Sequence, residues 1–104
     1  MFRAHKYNAR KTEIDGFVFA SKREAGRYSE LKLLEQAGEI TNLVLQPRYP
    51  CFVNGKLVTT YVADFQYCKG NELHVEDAKG YKTDVYRLKK KLVEALYSFV
   101  IEEV

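Results

Sequence analysis

The chain has 104 residues, 46% hydrophobic and 30% charged, with a net charge of +3. That length holds one domain, and the composition is that of a globular chain rather than a disordered one. No stretch approaches the roughly 18 apolar residues of a membrane span. Met1 to Lys6 lacks the apolar run of a signal peptide, so a cytoplasmic location is expected. Cys51 and Cys68 are too few for a disulfide scaffold. With only His5 and His74 beside them, they make a four-ligand zinc site improbable.

The charge is unevenly spread. Residues 1–32 carry eight Lys or Arg against four acids. Residues 79–91 carry Lys79, Lys82, Arg87, Lys89, Lys90 and Lys91 against Asp84 alone. The stretch between them is acidic. Basic flanks suit a phosphate backbone, and acids set between them would repel it unless a divalent cation bridges the two. Ordinary solvated helix faces give the same pattern.

In chain order, residues 1–15 are polar and basic with little periodicity, and a flexible arm is expected there, with a single domain over 16–104. Ser21-Lys22-Arg23-Glu24 has the form of a capping box and opens a helix that Gly38 stops. Tyr28, Leu31 and Leu34 form its apolar stripe. A strand begins at Leu43, and Pro47 and Pro50 make its continuation irregular. Asn54-Gly55 is a hairpin turn, leading into a second strand over Leu57–Tyr67 and, after Lys69-Gly70-Asn71, a third over Glu72–Lys79. Val85, Leu88, Leu92, Ala95 and Leu96 mark an amphipathic helix capped by Thr83 or Asp84. Phe99-Val100-Ile101 reads as a last strand. Helix, three-strand meander, helix and strand make an α/β sandwich with a mixed sheet.

Strand alternation then exposes an anomaly. Leu73 and Val75 share a face with Asp77 and Lys79, while Glu76 projects to the opposite one. Val58, Thr60 and Val62 share a face with Asp64. If these strands are neighbours, Asp64, Asp77 and Lys79 meet at the edge of the core. Buried carboxylates pair or bind metal. Two acids and one lysine leave a negative charge over, which suits Mg²⁺ or Mn²⁺ with their preference for hard oxygen ligands. A plain Asp–Lys ion pair at a strand end is the other reading. Glu24, in the first helical turn and inside the apolar stripe, is either a further acid of that site or only a helix cap.

Asp64 followed by Asp77-Ala78-Lys79, with Glu24 on a preceding helix, resembles the PD-(D/E)XK nuclease superfamily. The segments Phe19-Ala20-Ser21-Lys22-Arg23-Glu24-Ala25, Leu45-Gln46-Pro47, Tyr61-Val62-Ala63-Asp64-Phe65 and Val75-Glu76-Asp77-Ala78-Lys79-Gly80 resemble, more specifically, a family of small phage-encoded, Holliday-junction-resolvase-like endonucleases. The similarity spans about residues 6–104. Ala63 stands where many members have proline.

The resemblance implies a restriction-endonuclease-like core and metal-dependent hydrolysis of DNA phosphodiester bonds, selective for branched or junction DNA. It implies Mg²⁺ or Mn²⁺ held by Asp64, Asp77, the Ala78 carbonyl and Glu24, and a catalytic role for Lys79. Lys22, Arg23, Lys82, Lys89 and Lys90 become candidates for gripping phosphates. Cutting two strands calls for two copies, so a homodimer is expected, with DNA as partner, no organic cofactor and the host cytoplasm as location. The alternative is a non-catalytic nucleic-acid-binding domain that keeps the nuclease core.

Overall fold

The computed structural model describes residues 11–104. Its elements in order are β1 (Thr12–Ile14), β2 (Phe17–Phe19), α1 (Lys22–Gln36), β3 (Thr41–Leu45), β4 (Arg48–Val53), β5 (Lys56–Val62), β6 (Phe65–Lys69), β7 (Glu72–Asp77), α2 (Asp84–Leu96) and β8 (Ile101–Glu103). The central sheet has the order β3-β6-β7-β8. Its first three strands are antiparallel, and β8 joins β7 in parallel after α2 crosses over. The protein is therefore a mixed α/β fold with a mixed sheet. Among the described residues no helix is long and apolar enough to cross a membrane.

Local chemistry accounts for both ends of α1 and the start of α2. The Ser21 hydroxyl accepts the Glu24 amide at the start of α1 (3.1 Å). At its far end the Gly38 amide donates to the Glu35 carbonyl and the Glu39 amide to that of Leu34, a Schellman closure with Gly38 at φ +79°. The Thr83 hydroxyl caps α2 by accepting the Tyr86 amide (3.0 Å).

Three expectations need correction. Of the arm expected over 1–15, residues 1–10 lie outside the described residues, and Thr12–Ile14 instead pairs with β2 as a hairpin about Asp15-Gly16. The Tyr28 hydroxyl donates to Asp15 (2.9 Å) and pins this hairpin to α1. The expected strand over 57–67 is two strands, β5 and β6, broken at Ala63-Asp64. Its partner breaks at the same level, between β3 and β4. The Gln46 amide donates to the Asp64 carbonyl (2.9 Å) and the Ala63 amide to that of Pro47 (3.1 Å), so one long ribbon runs through the bend and its β4–β5 tip leaves the sheet. The buried parity there is Tyr61, Ala63, Phe65 and Tyr67, whereas Val58 and Val62 are exposed. Finally, α2 turns Val93 inward, with Tyr86 and Leu92 partly covered, and leaves Val85 and Leu88 exposed; Leu34 of α1 is exposed as well.

Two cores result, one on each side of the sheet. Phe19, Ala25, Tyr28, Leu31 and Ile40 pack with Phe65 and Tyr67 beneath α1. Tyr49, Cys51, Tyr61 and Ala63 pack with Val75, Val93 and Ile101 beneath α2. Because side chains alternate along β7, Glu76 enters the first side and Asp77 the second.

Candidate functional site

The bend of the ribbon and the end of β7 come together at one end of the sheet. Asp64 occupies the bend. Its amide donates to the Glu76 carbonyl (3.1 Å) and its carboxylate accepts the Ala78 amide (2.7 Å). Asp64 is thus locked beside the chain that leaves β7. Asp77, on that strand, is fully buried. One of its oxygens accepts the Tyr61 hydroxyl. The other, Oδ1, is buried without a hydrogen-bond partner. It lies 3.6 Å from Lys79 Nζ, an ion-pair distance beyond hydrogen-bond length. Lys79 Nζ also sits 5.1 Å from the centroid of the Tyr86 ring, and the Tyr86 hydroxyl donates to Glu103 (2.9 Å).

Glu24 approaches from the other side of the sheet, on the first turn of α1, and is 6% exposed. Burial raises its pKa, and the charge of Asp64 raises it further; the Ala20 amide and Lys79 oppose that rise. Burial likewise pushes the Asp64 carboxyl upward, against the Ala78 amide and Lys79. Asp77 is pushed up to about 6 by desolvation, which Lys79 only partly offsets. Three acids that influence one another, withdrawn from water and sharing one ammonium, form a site short of positive charge.

The structure therefore brings together Asp64, Asp77, Ala78 and Lys79, with Glu24 in electrostatic reach. Among the described residues no group of three His, Cys, Asp or Glu side chains is close enough to hold a metal ion jointly. The donor set still suits a hard divalent cation: carboxylate oxygens, one of them orphaned, in net negative surroundings. Of the expected phosphate-binding residues, Lys89 lines a cleft of about 250 Å³ with Lys79, Thr83, Tyr61, Val62 and Val85. Arg23 lies near the chain end, 3.4 Å from the Val104 carbonyl, and close to Gly80. Lys22 is exposed and Lys82 half-buried. Lys90 is turned toward Glu94 at 3.8 Å, within α2.

Sequence reasoning missed the tyrosines of this site. Tyr61 lies one position out of phase with the expected apolar row of Val58, Thr60 and Val62, yet its hydroxyl is the one hydrogen-bond donor to Asp77 among the side chains described. Tyr86 lies outside the apolar stripe of α2 that the periodicity marked. Gln46 stood without a role; it is a non-glycine residue at φ +52°, opposite Asp64 in the bend.

A family model described as a protein of unknown function (DUF1064) matches residues 4–102. The chain belongs to that family. No curated protein and no solved structure matches it.

Proposed function

We propose that this protein is a metal-dependent DNA endonuclease of the PD-(D/E)XK type, with a restriction-endonuclease-like core, acting on branched or junction DNA as a homodimer. The observation that carries the reading is the Asp77 carboxylate, wholly buried with one oxygen unpartnered, beside Asp64 and Lys79. A buried acid left short of hydrogen bonds costs stability, and a site that retains one has a use for it.

Asp64, Asp77 and the Ala78 carbonyl, completed by Glu24, would hold Mg²⁺ or Mn²⁺. Bound there, the ion would polarise the scissile phosphate and lower the pKa of a coordinated water. The protein's own contribution is electrostatic. Lys79, braced between Asp77 and the Tyr86 ring, presents its Nζ toward the charge that grows on the phosphate oxygens. Tyr61 fixes the orientation of Asp77. Lys89 extends the positive surface away from Lys79 along the cleft they share, where a phosphate backbone would run.

Linear, flapped and four-way DNA incubated with Mg²⁺ or Mn²⁺ test the proposal. Cleavage should require the metal and fall by about 10²–10³ in Lys79→Ala. It should be abolished in Asp77→Ala, with the circular dichroism spectrum retained. Metal-indifferent DNA binding without cleavage would instead indicate a binding domain that keeps the nuclease core.

A further inference from the structure

A second cleft opens on the other flank of Glu24. It measures about 230 Å³ and is lined by Phe17, Val18, Phe19, Glu24, Leu45 and Gln46. The β1–β2 hairpin supplies one wall and the bend of the ribbon the other. We propose that this cleft receives one unpaired nucleobase next to the cleavage site, which makes the enzyme selective for DNA in which a base is free to leave the stack. The inference rests on the nuclease reading and specifies its substrate.

Four observations support it. The cleft is smaller than the roughly 300–1,000 Å³ typical of pockets for extended ligands, so it takes one compact group. Its lining holds no Lys or Arg and one carboxylate, which disfavours a phosphate and suits a neutral ring. Phe17 caps an aromatic cluster, with its ring centroid 5.9 Å from that of Tyr28 and 6.4 Å from that of Phe19, and yet remains 47% exposed. A half-exposed ring braced from behind is a stacking platform, and stacking on aromatic side chains is how proteins hold unpaired bases. Gln46, lastly, is kept in the left-handed region at φ +52° by the bend that also places Asp64, and strain of this kind gathers at functional positions. Its amide carries both donors and an acceptor and can read a base edge.

The test uses full-length Asp77→Asn protein, which binds without cutting, and a duplex carrying 2-aminopurine either paired or as a single-base bulge. Saturating protein should change the fluorescence of the bulged base, and bulged DNA should bind about tenfold tighter than paired DNA. Adding Phe17→Leu, which keeps apolar bulk and removes the ring, should erase both differences; adding Phe17→Tyr should restore them. Equal affinity for the two duplexes, or a preference indifferent to Phe17→Leu in a protein with an unaltered melting curve, overturns the base cleft and leaves the nuclease reading standing. Failure of the wild-type protein to bind or cut any of the DNAs overturns both.

Discussion

Glu76 and Asp77 are neighbours on β7, equally buried, and differ in everything that surrounds them. Glu76 faces α1, where Arg27 grips both its oxygens at 2.7 and 2.6 Å and the Tyr67 hydroxyl adds a third bond. That pairing holds the Arg27 guanidinium still more firmly in its charged form. Asp77 faces α2 with one tyrosine hydroxyl, an ammonium at 3.6 Å and an orphaned oxygen. The same residue chemistry is neutralised on one side of the strand and left in deficit on the other. A fully paired buried acid fastens α1 to the sheet; a half-paired one leaves its surroundings short of positive charge. The ion pair at Glu76 also bears on the site itself, since Arg27 lies one helical turn beyond Glu24.

The comparison is sharpened first by breaking the satisfied side. Arg27→Ala strands the Glu76 charge in the core and should destabilise the protein by about 3–5 kcal/mol in urea unfolding. Replacing both partners at once, Arg27→Met with Glu76→Leu, should recover most of that loss.

The unsatisfied side should respond in the opposite sense. Burial raises the carboxyls of Asp77, Asp64 and Glu24, so each binds its proton more tightly folded than unfolded. The contribution of these three acids to metal-free stability is thus greatest at low pH and falls as pH climbs from about 4 through about 6, the window set by the unfolded Asp value and that of Asp77. Asp77→Asn should stabilise the metal-free protein at pH 8 by about 2–3 kcal/mol. Thermal melts from pH 4 to 8 check both statements, and added Mg²⁺ should flatten the decline in the wild type and not in the variant.

Smaller effects follow. Tyr67→Phe removes one bond from an acid that keeps its arginine and should cost about 1 kcal/mol. Lys90→Ala removes a surface pair with Glu94 and should change stability by less than about 0.5 kcal/mol.

The sequence carried this contrast in its parity. Val75, Glu76 and Asp77 alternate correctly, and the helix starts at Ser21 and Thr83, the turn at Asn54-Gly55 and the stop at Gly38 were written in residue types that have one local use. Asp15-Gly16 is an equally strong turn signal, masked by the polar and basic composition of residues 1–15. The bend was harder to read. Tyr61, Ala63, Phe65 and Tyr67 are as apolar as Val58 and Val62 one position out of phase, so the pattern could not say which face was inside, nor that Gln46 would sit at positive φ to turn the ribbon. The stripe of Val85, Leu88 and Leu96 likewise identified a helix face without saying where the sheet lay; Tyr86 and Val93 took the inner position instead. The site was visible because charges on an apolar face are anomalous, whereas its tyrosines were hidden because Tyr61 and Tyr86 fall out of phase with the apolar rows of their own elements.

The claim on which all this depends is the proposal that Asp64 and Asp77 bind a divalent cation. Isothermal titration of the protein with Mn²⁺ at pH 8 tests it most directly. The account predicts saturable binding that weakens, and begins to release protons, as pH falls below about 6, and that disappears in Asp64→Asn and Asp77→Asn. Absence of binding, or binding that survives both substitutions unchanged, would contradict it.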